Sequence, residues 1–313
     1  MLGKTAGGLF WMFRALERSE NTARLIDAGF QIALTRSENA DDEWASVIST
    51  AGATAAFEAR HPNYDANSVV DFLLRDASNP ASVINVIEQA RSNARMVRTA
   101  LTREVWEATN ECWMTLKGVL RRPIRDRDLP EVLGAIRHQS ALVRGALHGT
   151  MLRNDIYDFC RLGTFLERAD STARILDVKY YVLLPSIAHV GSSLDNVQWE
   201  SVLRAAAAHR TFRWLHQGEL SPRSIAHFLV LDRRVPRSLA FCVGKIADNL
   251  GYLAEDYDEQ LDCHAMAAGL NARLRNEDIN SIFDVGLHEF IQGVIRDANA
   301  LGRQIERDYR FYE

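Results

Sequence analysis

The sequence predicts an all-α fold, a duplicated helical bundle of two repeats of about 150 residues each, related by pseudo-twofold symmetry. Three observations predict it. Apolar residues recur with the 3.6-residue period along almost every segment, and no alternating strand pattern interrupts them. Helix breakers fall between those segments, at His61-Pro62, Asn79-Pro80, Pro123, Pro130, Pro185, Ser221-Pro222 and Pro236. Finally, the chain repeats itself. Leu16-Glu17-Arg18-Ser19-Glu20-Asn21-Thr22-Ala23-Arg24-Leu25-Ile26-Asp27 returns as Leu166-Glu167-Arg168-Ala169-Asp170-Ser171-Thr172-Ala173-Arg174-Ile175-Leu176-Asp177, with the remaining differences mild. Trp44, Ser46 and Val47 return as Trp199, Ser201 and Val202. Phe72-Leu73, Asp76, Pro80, Ser82 and Asn93 return as Phe228-Leu229, Asp232, Pro236, Ser238 and Asn249.

The elements follow in order. About ten helices fit between the breakers, with long ones near 5–36, 82–101, 155–184 and 237–260 and a last one near 286–312. The longest candidate linker runs from Pro185 to Asn196. The repeats divide the chain at 1–150 and 151–313, as two domains or as one interlocked bundle. At 313 residues the chain can bury roughly three quarters of its surface, so it needs no covalent staples.

Composition narrows the function classes. The four cysteines, at 112, 160, 242 and 263, form neither a disulfide framework nor a CxxC motif, which fits a reducing cytoplasm. The early apolar run ends at Arg14 without a cleavage-type site, and no stretch approaches the ~18 apolar residues of a membrane span. A net charge of −4 argues against nucleic-acid binding. All 37 basic residues except Lys4, Lys117, Lys179 and Lys245 are arginine, whose planar fork suits bidentate pairing with carboxylates, although a GC-rich genome gives the same bias.

The repeated block is the strongest candidate site. On a helical wheel Leu9, Met12, Phe13, Leu16, Ala23, Ile26 and Phe30 form one apolar stripe that contains Glu20 and Asp27, with Glu17 and Arg24 on its edge. Arg14 and Arg18 point the opposite way, and neighbours ~100° apart cannot address one spot. The second copy repeats this with Glu167, Arg168, Asp170, Arg174 and Asp177. Buried carboxylates cost several kcal/mol unless paired, so they need partners. Glu20 and Arg24 can pair at i,i+4, and Asn21 stands beside them. A second source is the stripe Arg91, Arg95 and Arg98, with Asn93 nearby, which has no arginines at the matching places in the second half. Three readings stay open: a buried register network, an anion or peptide pocket on that stripe, and an acid–base or divalent-metal site where Glu17, Glu20, Glu167 and Asp170 converge.

Other signals are weaker. Gly3-Lys4-Thr5 lacks the strand and first glycine of a phosphate loop. Glu58-x-x-His61 is single where a helical di-iron centre needs two, so His61 reads as a cap or surface residue. Cys160 and Cys242 sit among apolar neighbours and read as core. The acidic run Glu255, Asp256, Asp258, Glu259 and Asp262 reads as a solvated helix face, and the six tryptophans as core.

The doubled Leu-Glu-Arg block resembles the bacterial alpha-E family of all-helical proteins. Phe10-Trp11-Met12, Ala90-Arg91-Ser92-Asn93-Ala94-Arg95-x-x-Arg98, Glu104-x-Trp106-Glu107-x-x-Asn110, Gly149-Thr150-Met151, Phe159, Leu162-Gly163 and Val178-Lys179-Tyr180 extend the resemblance in order over most of the chain. Gly7-Gly8 departs from it mildly, which bears on the stability of the first turn. The resemblance carries no established reaction. It implies the company of ATP-grasp-type peptide or amide ligases, transglutaminase-like proteases and proteasome-like peptidases, and a part in making or processing small peptides. The leading expectation is a non-catalytic adaptor without cofactor, presenting a peptide through Arg91, Arg95 and Arg98. The second is an enzyme of amide-bond formation or cleavage using the four acids and a divalent ion, and the third a structural homodimer.

Overall fold

A computed structural model describes residues 1–35, 40–181, 193–216 and 220–313; the side chains of 35, 40, 178–181 and 193–197 lie outside that description. Among the described residues there are fifteen α-helices and no strand. They are α1 (Gly3–Thr35), α2 (Ala40–Thr50), α3 (Thr54–Glu58), α4 (Ala66–Leu74), α5 (Val83–Met96), α6 (Arg103–Val119), α7 (Leu129–Thr150) and α8 (Asp155–Tyr181). Then follow α9 (Ser193–Ala205), α10 (His209–Leu215), α11 (Pro222–Val230), α12 (Leu239–Tyr257), α13 (Asp262–Asn276), α14 (Ile279–Val285) and α15 (Leu287–Asp308). The expected helix near 82–101 is shorter, because α5 stops at Met96 and a single 3₁₀ turn covers Arg98–Ala100. The linker expected at Pro185–Asn196 lies outside the described residues up to 192, and α9 already begins at Ser193.

Local chemistry sets the boundaries. Asp65, Ser221 and Ser238 cap α4, α11 and α12 by accepting from the backbone N–H groups of Ser68 (3.0 Å), Ser224 (3.1 Å) and Phe241 (3.1 Å). Pro130 and Pro222 stand in the first turns of α7 and α11, where no intrahelical N–H is needed. Gly286, at φ +113°, makes the break between α14 and α15 that an L side chain would strain.

Two long helices form the axis of the molecule. α1 packs against α8; α5 and α7 flank α1, while α12 and α15 flank α8. α2 leans on α8 as well as α1, and α9 leans on α1 as well as α8. The buried apolar residues make one cluster that runs from Ala6 to Phe311. Glycine allows the closest approaches. A Cβ at Gly163 would run into the Phe10 carbonyl of α1, and one at Gly8 into Val97. Gly7-Gly8 therefore lets Phe311 and Val97 pack on α1, rather than weakening its first turn for nothing.

Candidate functional site

α1 and α8 place the two Leu-Glu-Arg blocks side by side, and each block's arginine serves the other block's glutamate. Arg168 donates from Nε and Nη2 to the two oxygens of Glu17, both at 2.9 Å. Arg18 donates in the same fork to Glu167, at 2.6 and 2.9 Å. The adjacent Glu17 and Arg18 thus face different partners, as their angular separation on the helix requires. Arg14 joins Arg18 on Glu167 at 3.0 Å. Arg14 and Arg18, on the side of α1 opposite its apolar stripe, reach α8, because a second helix covers that face of α1 too.

The first pair of acids is deeply enclosed. Glu17 and Glu20 are each 1% exposed. Arg24 donates to Glu20 from one turn below at 2.9 and 2.8 Å. Arg144 of α7 pairs with Glu20 and lies 3.5 Å from Glu17. Arg237, in the turn before α12, reaches Glu17 at 3.1 Å, Glu20 at 2.8 Å and the Asn21 amide oxygen at 2.7 Å. Burial alone would raise both carboxyls, and Glu17 would raise Glu20 further. The surrounding arginines overrule this, holding Glu17 well below the ordinary carboxylate range and lowering Glu20 as well. Burial also pushes Glu167 up, and Arg18 and Arg14 bring it down.

The second pair is less enclosed. Asp170 meets Arg174 at 2.7 Å, and the Arg18 and Arg174 side chains are each 38% exposed. One turn further along each helix, Asp27 pairs with Arg137 of α7, while Asp177 accepts from Gln292 at 2.8 Å and lies 2.6 Å from His288 Nδ1.

Between the blocks lies a cavity of about 240 Å³ with Arg18, Asn21, Glu167, Asp170 and Arg174 on its polar wall and Leu25, Leu73 and Ala81 on its apolar wall. Two buried polar atoms of that wall have no hydrogen-bond partner, Asn21 Nδ2 and Asp170 Oδ1. Arg237 fixes the Asn21 amide by donating to its oxygen, so the NH₂ end must look elsewhere. A second cavity of about 220 Å³ lies beyond the Arg14–Glu167–Arg18 bridge, lined by Trp11, Gln89 and Asn93.

The arginine stripe is not where the carboxylates are. Arg91 stacks on Trp113 at 3.9 Å and donates to Asn110 at 2.9 Å, Arg98 lies 5.2 Å over Trp106, and Arg95 is exposed between them. These arginines lie on the outer side of α5 and of the 3₁₀ turn after it, against α6, so the partners of the buried acids come from elsewhere. Arg14, Arg144 and Arg237 were missed in the sequence. Arg237 left a faint signal, a charged residue between the repeated Pro236 and Ser238 where the first half has Ala81.

The four acids do not share an open point. Each faces guanidinium groups, and among the described residues no group of three His, Cys, Asp or Glu side chains is arranged to hold a metal ion. The four cysteines are buried and free, with Cys112 and Cys242 pushed up to about 12 by burial, far from a reactive thiolate. Glu58 accepts from Tyr64 at 2.7 Å while His61 stacks on Phe57. The acidic run 255–262 is exposed, as expected of a solvated face. Trp44 and Trp199 are core, whereas Trp11, Trp106 and Trp113 carry arginines and Trp214 is 70% exposed. One acid differs from all of these: Asp158, buried near the start of α8, is pushed up to about 7 by burial and by Asp256 and Asp155, against a smaller pull from Arg161. The glutamates of the site are held ionised and shielded by the arginines around them.

Residues 1–310 match the family model described as "Alpha-E: A predicted alpha-helical domain with a conserved ER motif". The chain is also similar to an uncharacterised protein of Mycobacterium bovis and to two of Mycobacterium tuberculosis. Each is 22% identical over 325 aligned positions, which cover 95% of this chain and 35% of the relative. The chain therefore spans about a third of the length of those curated relatives. No solved structure matches it. Among the described residues no helix is long and apolar enough to cross a membrane.

Proposed function

The chain belongs to the Alpha-E family, and from that premise we propose a helical adaptor that works with an ATP-grasp-type peptide or amide ligase in making or processing small peptides. The observation that carries this is the outer face of α5 and α6. There Arg91 and Arg98 are stacked on Trp113 and Trp106, Arg95 is exposed, and Met96 and Met114 stand out at more than half exposure. Arg, Trp and Met are the residues enriched where proteins meet, and stacking pre-orders the arginines so that little freedom is lost on docking. The inner cavity is then the place for the peptide or acceptor.

The fold reading that goes with it is a duplicated unit, 1–150 and 151–313, related by a pseudo-twofold axis and interlocked through α1 and α8. Several correspondences support it. Phe57 stacks on His61 and meets Phe72 edge-on at 5.2 Å; Phe212 stacks on His216 and meets Phe228 edge-on at 5.2 Å. Gly52 and Ala207, at matching places after α2 and α9, both have positive φ, +68° and +53°.

The test is co-expression with an ATP-grasp-type ligase from the same source, followed by size exclusion with light scattering at low and high salt. A stoichiometric complex is expected, weakened at least about tenfold by the triple substitution Arg91→Ala, Arg95→Ala, Arg98→Ala. No complex at either salt sinks the adaptor. The alternative, an enzyme of amide-bond formation or cleavage, draws on Glu167 and Asp170 at the cavity wall and predicts turnover by the isolated chain.

A further inference from the structure

Arg237 occupies a seat, and the matching seat in the other half is empty of any side chain. Arg237 stands between Pro236 and Ser238, and Ala81 stands between Pro80 and Ser82. The two turns are built alike. Ser82 N–H donates to the Asn79 carbonyl at 3.0 Å and Ser238 N–H to the Val235 carbonyl at 2.9 Å, and both serines begin a long helix with closely similar φ and ψ. In the filled seat the Arg237 guanidinium donates to Glu20 and Asn21 and lies against Glu17. The residues at the corresponding places in the second block are Asp170, Ser171 and Glu167, and all three line the 240 Å³ cavity together with Ala81.

We propose that this cavity is a seat for a cationic nitrogen group, a guanidinium or primary ammonium on a small ligand or on a peptide side chain, held against Asp170 and Ser171 where Arg237 is held against Glu20 and Asn21. The cavity far exceeds the ~15 Å³ that one water needs yet falls short of the ~300 Å³ at which drug-sized pockets begin, so it suits a head group. The Asp170 Oδ1 atom, buried and without a hydrogen-bond partner, is the acceptor such a group would satisfy. Arg18 and Arg174 on the same wall do not bar a further cation, because the first block holds four arginines against two acids. Around Glu17 and Glu20 the fold gathers Arg24, Arg144, Arg168 and Arg237, whereas Glu167 and Asp170 meet Arg14, Arg18 and Arg174. A further cation brings the second site to the ratio the first already holds.

This inference rests on the duplication and on the cavity as the ligand site, and its test is independent of any ligase. Titration calorimetry with butylguanidinium, its neutral isostere butylurea and the anion butyrate separates charge from shape. Butylguanidinium is expected to bind saturably, with butylurea at least about tenfold weaker and butyrate silent. Ala81→Arg fills the seat from within and should abolish butylguanidinium binding while keeping the melting temperature of the wild type or raising it. Should that variant fail to fold, Asp170→Asn takes its place and should weaken binding at least about tenfold. Equal binding of butylurea, preferential binding of butyrate, or no binding of butylguanidinium to the wild type overturns the proposal. If butylguanidinium fails while the ligase complex forms, the seat falls and the adaptor stands. If it binds while no complex forms, the seat stands without the adaptor.

Discussion

Glu17 and Glu20 sit among four arginines at 1% exposure, while Glu167 and Asp170 meet three at the edge of a cavity. The two blocks share their Leu-Glu-Arg sequence and their crossed pairing, and they differ most plainly in the turn before the next long helix, where Arg237 faces Ala81. In the first block that loop arginine closes over the acids, whereas the acids of the second block stand at the wall of a cavity. Alike in sequence, the two blocks are set apart by what the rest of the chain brings to them.

The comparison can be broken in four ways. The largest effect belongs to Arg237→Ala, which takes from two buried carboxylates an arginine they share and leaves the Asn21 amide oxygen without its donor. It should cost about 3–5 kcal/mol of unfolding free energy in urea. A cost below 1 kcal/mol would mean that the first block is no more closed than the second. Next comes acid unfolding. Glu17, Glu20 and Glu167 are held below their ordinary value of 4.5, so their stabilisation is full above that pH and drains away as pH falls through the lowered folded values. Arg237→Ala should therefore move the acid midpoint, followed by circular dichroism, to higher pH; an unmoved midpoint would deny Arg237 its hold on these acids. A smaller effect is expected of Arg174→Ala at the open block. There 38% side-chain exposure and solvent screening limit the loss to about 1 kcal/mol or less. A loss equal to that of Arg237→Ala would erase the distinction between the blocks. The smallest is Asp158→Asn. Its folded value of about 7 lies above the ordinary 3.8, so its contribution is full below 3.8 and is lost as pH rises through 7. The variant should melt a few degrees (~2–4 °C) above wild type at pH 8 and nearly with it at pH 4; an equal gain at both pH values would refute the titration.

Much of this architecture can be read before any coordinates. The 3.6-residue period marks α1, α8, α12 and α15 because each buries one continuous stripe, and the repeated Glu, Asp and Arg residues mark the site because charges on such a stripe demand partners. Short helices were harder. α3 has five residues and α10 seven, too few turns for a period to show, so about ten expected helices became fifteen among the described residues. The partners were harder still. Glu20 and Arg237 are 217 positions apart, and helical spacing says nothing about which distant loop closes on a face. The stripe of Arg91, Arg95 and Arg98 was the more periodic signal and proved the wrong source, since periodicity groups residues on a face without saying what that face meets.

The crossed pairing also sets an order of events during synthesis. α1, carrying Glu17 and Glu20, is made before their partners Arg144, Arg168 and Arg237, which follow 124 to 220 positions later. At ~5–20 residues per second, the last of them arrives on the order of 10–40 s after Glu17. Through that interval Glu17 lacks these partners and Glu20 has only Arg24, which disfavours early collapse of the first half upon that face of α1. Glu17 gains its full set of arginines only when a turn 220 positions downstream is in place.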